Sequence, residues 1–252
     1  MLKVTFIQHS CVLIELDKKL LLFDYFPAGC MYDKVQFHGS LPEFPEDKRL
    51  YVFATHSHKD HFSLDVLKWK ESRPDITYIL SKDIRLGRNY LVRNGIDPEI
   101  KRDIHFVSPV ERYEIDDLVI ETLRSNDAGV AFVVEAEGQA IYHSGDLNWW
   151  NFGIRDELYG EKYAKEYKRE LSRIKERHID LAFVVLDPRL GDGYALGAEY
   201  FVNNIDADLI FPIHMWGDYS KIEQFKHRPK VVRFADRIVD IDRENIVFEI
   251  ES

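Results

Sequence analysis

The chain has 252 residues, 45% hydrophobic and 31% charged, enough for one large α/β domain or two smaller ones. A formal net charge of −10 removes any global electrostatic reason to bind nucleic acid or an anionic membrane. The two cysteines, Cys11 and Cys30, form no CxxC pair or disulfide framework, and no apolar run reaches transmembrane length or resembles a signal peptide, so a cytoplasmic protein is expected.

The first quarter reads as β structure. Val4–Ile7, Cys11–Leu16 and Leu20–Asp24 are short apolar runs between polar turns, an antiparallel meander. Leu20-Leu21-Leu22-Phe23 lacks polar alternation, which predicts a strand covered on both faces. Residues 25–48 hold Pro27, Gly29, Gly39, Pro42 and Pro45 and read as a long irregular loop, a functional or mobile element at that length. A buried strand follows at Tyr51–Ala54. Ser63 then caps a short helix through Leu64, Leu67 and Trp69 that stops before Pro74.

Ile76–Leu80 is the next strand, and Lys82–Arg93 reads as helical. Strands recur at His105–Val107, Leu118–Leu123, Val130–Glu135 and Gln139–Tyr142. From Arg155 to Arg177, Leu158, Tyr163, Tyr167, Leu171 and Ile174 recur among charged residues as an amphipathic helix. The strand Leu181–Leu186, a Gly-rich loop, a helix near Ala198–Val202 and strands at Leu209–Phe211 and Ile246–Ile250 complete the order. Strands followed by a helix, twice over, predict two sheets back to back with helices outside, in one domain spanning residues 1–252.

The densest chemistry lies in six residues, His56-Ser57-His58-Lys59-Asp60-His61, directly after the Tyr51–Ala54 strand. Imidazole and carboxylate are the usual ligands of a borderline cation such as zinc. In an extended segment His56 and His58 point to one side. Asp60 and His61 follow a turn and can approach from another direction, so one loop can serve two adjacent cations. Remote strand ends supply further candidates. Asp146 follows Tyr142-His143-Ser144-Gly145 and can bridge two ions, although alone it would read as a turn aspartate. His214 ends Phe211-Pro212-Ile213.

Together, Asp24 at a strand end, His56-x-His58-x-Asp60-His61, Asp146 and His214 resemble the metallo-β-lactamase fold superfamily. Gln8-His9-Ser10-Cys11-Val12-Leu13-Ile14-Glu15 and Tyr142–Asp146 resemble its ascorbate phosphate lactonase-like branch. The likeness covers nearly the whole chain. It implies a four-layer αββα sandwich of two mixed sheets, with up to two divalent ions (zinc, or manganese or iron) at one edge. His56 and His58 would hold the first ion, Asp60, His61 and His214 the second, and Asp146 would bridge. Asp24 would orient the loop from behind.

One element departs from that pattern. Most members carry another histidine for the first ion, but here the segment reads Leu123-Arg124-Ser125-Asn126-Asp127-Ala128-Gly129. Asn126, Asp127 or water can fill the position, or Arg124 there would repel a cation and take an anionic substrate group. Tighter binding is therefore expected at the second ion. His143 and His9 have two open readings, in the site or as packed polar residues.

Water on such an ion ionises near neutral pH, and Asp60 is positioned in sequence to orient it or relay its proton. Trp149, Trp150, Trp216 and Tyr194 are candidate pocket walls, although each alone favours packing over substrate contact, and Asp187–Tyr194 resembles the branch's Gly-rich loop before a helix, which can offer amides to an anion. Only 38 residues (252 minus 214) follow His214, too few for the helical domain of glyoxalase-type members. The expectation is a hydrolase of a small lactone, ester or phosphoester, binding no nucleic acid and no membrane. A non-catalytic metal- or ligand-binding protein on the same scaffold is the alternative.

Overall fold

Leu2–Gln8 and Cys11–Glu15 pair antiparallel as strands β1 and β2, and the register shifts between Phe6 and Gln8, next to the corner at His9. In the computed structural model, which describes residues 2–153 and 157–251, the chain divides into two compact units. The first is Met1–Ser108 with Glu244–Ser252; the second is Pro109–Arg243. Each carries one large mixed sheet, as the alternation of strands and helices in the sequence leads one to expect.

In the first unit β3 (Lys19–Phe23) lies antiparallel to β2, and β6 (Arg49–Ala54), β7 (Thr77–Ser81) and β8 (Ile104–Val107) continue in parallel from it. The last strand, β15 (Ile246–Ile250), closes the other edge against β1. All five residues of β3 are buried, which explains its unbroken apolar run. Leu20, Leu22, Leu50, Val52, Tyr78 and Leu80 alternate onto one face and pack with Val66 and Leu67 of α1 (Asp65–Lys68) and Leu91 of α2 (Arg88–Arg93). Each such side chain withdrawn from water stabilises the unit by roughly 1.5–3 kcal/mol.

Local chemistry adjusts several predicted boundaries. The helix predicted over Lys82–Arg93 covers only Arg88–Arg93, because extended Gly87 starts it and Asp83 instead accepts a bond from the Ser57 N–H at 2.9 Å. Residues 25–48 are not wholly irregular: Met31–Tyr32 (β4) and Val35–Gln36 (β5) form a small hairpin. Ser63 does serve the start of α1, its Oγ accepting the Asp65 N–H.

The second unit orders its strands β14-β13-β12-β11-β10-β9. β9 (Arg112–Ile115), β10 (Leu118–Arg124), β11 (Val130–Ala136) and β12 (Gln139–His143) form an antiparallel meander. β9 escapes the apolar pattern because three of its four residues are polar or only half-buried. β13 (His178–Val185) and β14 (Asp206–Ile213) then run parallel to β12, both starting earlier than their apolar runs. Helix α3 (Glu157–Leu171) precedes β13, and α4 (Leu196–Asn204) precedes β14. The predicted helix start at Arg155 and the side chain of Leu158 lie outside the described residues, and its end falls at Leu171 rather than Arg177. A hydrogen bond from Tyr167 Oη to the Gly197 carbonyl (3.1 Å) ties α3 to α4. Helix α5 (Ser220–Lys226) follows β14. Among the described residues no helix is long and apolar enough to cross a membrane.

In both units the chemistry-bearing residues follow the carboxyl ends of parallel strands, where α/β sheets place their ligands. Asp24 follows β3 and Thr55–His61 follow β6. Asp146 comes after β12, Asp187 after β13 and His214 after β14.

Candidate metal centre

In the first unit a buried carboxylate organises the six-residue motif. Asp24 leaves β3 with a left-handed backbone (φ 49°), and its amide donates to the Phe53 carbonyl of β6. Its Oδ1 accepts the Thr55 N–H at 2.7 Å, and its Oδ2 accepts both the Thr55 hydroxyl and His61 Nδ1–H at 2.7 Å. His61 is thereby fixed with its proton on Nδ1 and a lone pair on Nε2, which lies 3.9 Å from Asp60 Oδ2. The Thr55 hydroxyl proton is committed to Asp24, so the 3.0 Å contact with His56 Nδ1 requires the imidazole to donate. His56 Nε2 then carries a lone pair 3.0 Å from His58 Nδ1. The motif bends rather than extends, yet its two alternate histidines meet as expected. His9 joins the other pair: its Nε2 is 3.3 Å from Asp60 Oδ2, and His9, Asp60 and His61 offer donor atoms all within 4.8 Å of one another.

The second unit repeats the device. His214, left-handed at φ 64°, has Nδ1 3.0 Å from Asp187 Oδ2 and Nε2 3.2 Å from Asp146 Oδ1. Burial alone would raise the Asp187 pKa, but hydrogen bonds from His214 and Arg189 outweigh it and hold the carboxyl well below the usual range. Arg189 clasps both Asp187 oxygens and stacks its guanidinium 4.1 Å over the Trp216 ring. As an ionised acceptor, Asp187 keeps the His214 proton on Nδ1 and leaves Nε2 for a cation. The donor atoms of Asp127 and Asp146 also lie within 4.8 Å of each other.

These sets fit divalent metal. Two donors about 2.0–2.1 Å from a tetrahedral ion stand about 3.3 Å apart. The pairs His56–His58, His9–Asp60 and His214–Asp146 are separated by 3.0, 3.3 and 3.2 Å. Each histidine braced by a carboxylate carries the bond that sets tautomer and ring direction in metal sites.

Other candidates are engaged elsewhere. Asn126, considered in place of the missing histidine, spends its amide on backbone: Oδ1 accepts the Asn148 N–H at 3.2 Å, and Nδ2 donates to the Asn148 carbonyl at 2.8 Å. Through these bonds Asn126 shapes the turn after Asp146. His143 Nδ1 accepts the Gly145 N–H at 3.1 Å, which places its proton on Nε2 and leaves no lone pair for a metal. Arg124 has an exposed side chain, while its backbone N–H donates to buried Glu170. Trp150 packs edge-on to His214 at 6.0 Å, and Trp216 at 5.4 Å. Tyr194 is buried beside Lys221 and Arg228. Trp149 lines a cavity of about 1050 Å³ with Leu190, Gly191, Leu196, Lys165 and Lys168.

Asp187, Thr55 and Arg189 were not recognised as site-forming residues from sequence. Asp187 did carry a signal: a carboxylate directly after an apolar strand, the same position Asp24 holds after β3. Thr55 carried none, since its role lies wholly in contacts.

Residues 3–150, more than half of the chain, match the β-lactamase superfamily domain. A UPF0173 metal-dependent hydrolase of Staphylococcus epidermidis is 26% identical over 242 residues, covering 88% of this chain and 89% of the relative. One from Methanosarcina barkeri is 27% identical over 248 residues, covering 92% and 90%. The solved structure of a metallo hydrolase from Ignicoccus hospitalis superposes with a TM-score of 0.57 at 16% identity, covering 99% of each chain.

Proposed function

The chain belongs to the β-lactamase superfamily and is a metal-dependent hydrolase, and on that premise we propose that it cleaves a lactone, ester or phosphoester of a small metabolite. The observation that carries this reading is the repeated carboxylate–imidazole brace, Asp24–His61 and Asp187–His214, each presenting an imidazole Nε2 toward a second carboxylate. We take His56 and His58 of the first unit to serve one divalent ion and Asp60 and His61 another, and Asp146 and His214 of the second unit to offer their donors to such an ion. Family membership and the chemistry of the donors support that pairing. Zinc suits mixed imidazole and carboxylate ligands, and manganese and iron are compatible with them.

When bound, a divalent cation supplies Lewis acidity and lowers the pKa of its water toward neutrality. The residues do the rest. Asp60, whose side chain keeps 19% of its surface exposed, orients the attacking water and receives its proton at Oδ1, the oxygen left over when Oδ2 serves the cation. Asp24 and Asp187 hold the imidazoles of His61 and His214 against rotation. The cavity beside Trp149, lined by Lys165 and Lys168 as well as Glu161 and Asp192, has room for a small polar substrate. The chain's acidity and its free thiols Cys11 and Cys30 accord with a cytoplasmic enzyme that binds no nucleic acid.

A panel of lactones, carboxylic esters and phosphodiesters tests the reading. Turnover of one class is expected, abolished by chelation, restored by zinc, and lowered at least a hundredfold by Asp60→Asn. Turnover that survives both chelation and Asp60→Asn would overturn it.

A further inference from the structure

We propose that His9 is a ligand to the same ion as Asp60 and His61, and that the loop after β3 serves to hold it there. The inference rests on the metal-centre reading above and adds a residue to it.

The backbone at His9 gives the first reason. The residue sits at the corner between β1 and β2 with φ 51°, a left-handed conformation uncommon outside glycine but one that histidine, like asparagine and aspartate, adopts more readily than most residues, and it fixes the direction in which the ring leaves the strand. Asp24 and His214 share this conformation, with φ of 49° and 64°, so three residues of the two donor systems accept it.

Where the corner aims the ring is the second reason. His9 is buried, its Nε2 is 3.3 Å from Asp60 Oδ2, and its ring centroid is 5.7 Å from that of His61. The three donor atoms all lie within 4.8 Å of one another, His9 and His61 Nε2 standing 3.3 and 3.9 Å from Asp60 Oδ2, close enough for small side-chain shifts to bring them onto one ion.

The third reason is the effort spent on the ring's surroundings. Phe37 and Phe26, both from the long loop, meet it edge-on at 5.2 and 6.2 Å. The neighbouring Gln8 ties that loop down: its Nε2 donates to the Phe26 carbonyl at 2.8 Å, and its Oε1 accepts the Gly39 N–H at 2.7 Å. Gly39 is so close that a Cβ there would lie 2.5 Å from the Ile7 carbonyl oxygen. Tyr32 Oη, from the loop's small hairpin, donates to the Lys59 carbonyl inside the six-residue motif at 2.9 Å. One loop thus braces both His9 and the residues it faces.

A histidine that only donated a hydrogen bond to Asp60 would show the same 3.3 Å contact, so the experiment counts ligands. His58→Ala, stripped with chelator and given one equivalent of zinc, confines the ion to the Asp60–His61 side. X-ray absorption at the zinc edge is expected to report at least two imidazoles, from His9 and His61; a single one would overturn the proposal. No bound zinc would instead overturn the metal-centre reading itself. Adding His9→Asn, a residue that tolerates the left-handed backbone, is expected to lower the count by one and weaken zinc binding at least tenfold, with circular dichroism unchanged. An unchanged count and affinity in the double variant would likewise overturn the assignment.

Discussion

Asp187 Oδ2 stands 3.0 Å from His214 Nδ1, and this one contact decides which nitrogen of His214 faces Asp146. Asp24 does the same for His61 at 2.7 Å. In both units the carboxylate follows one parallel strand and the imidazole follows another, so the sheet register sets the ligand's tautomer.

Removing the charge of either brace without changing its shape is therefore expected to weaken metal binding. Asp187→Asn and Asp24→Asn should each lower zinc affinity about 10–100-fold. Competition with a chromophoric chelator measures this, and an affinity within twofold of wild type would show the braces to be idle.

Asn126 supports backbone. Asn126→Ala leaves the Asn148 N–H and carbonyl without these two bonds, and about 1–3 kcal/mol of stability should be lost. Denaturant unfolding of the metal-free protein reads that loss. Metal content per chain, measured separately, should stay at the wild-type value.

Gly197 faces Asn148 across a gap with no room for a methyl group. A Cβ there would fall 2.0 Å from Asn148 Oδ1 and 3.2 Å from the Trp149 amide nitrogen. Gly197→Ala should cost about 1–3 kcal/mol through overpacking. The fall in thermal midpoint checks it, and an unchanged midpoint would mean the turn after Asp146 yields freely.

Away from the metal residues, Glu199 gives the protein an acid-sensitive element. Burial would raise its pKa, but bonds from Arg228 (2.9 Å) and Lys230 (3.1 Å) hold it below the ordinary carboxylate value. A lowered folded pKa means that its stabilisation is complete above the unfolded value of about 4.3 and fades as pH falls through the folded one. In metal-free protein, Glu199→Gln should be less stable than wild type at pH 7, and the gap should close on acidification below the unfolded value. A gap that widens in acid would contradict the assignment.

The sequence made the donors legible far better than their supports. His56, His58, Asp60 and His61 sit within one turn-forming segment, where spacing alone is diagnostic. Asp146 and His214 were readable because each follows an apolar strand. Thr55, Asp187 and Arg189 act through side-chain contacts whose partners lie far along the chain, and no periodicity encodes those. His9 was legible in the Gln8–Glu15 segment with its place in the site left open; its closeness to Asp60 depends on how β1 and β6 lie within one sheet. The backbone bonds of Asn126 were not legible, because a polar residue facing a turn looks the same in sequence whether it binds metal or backbone. The helix boundaries at Gly87 and Leu171 moved for similarly local reasons.

Zinc titration of the chelator-stripped protein, followed calorimetrically, tests the central claim most directly. Two binding steps of unequal affinity are expected. Substitution of His61 by alanine should remove the tighter step, and His58→Ala the weaker. Two equally tight steps, or none, would contradict the account.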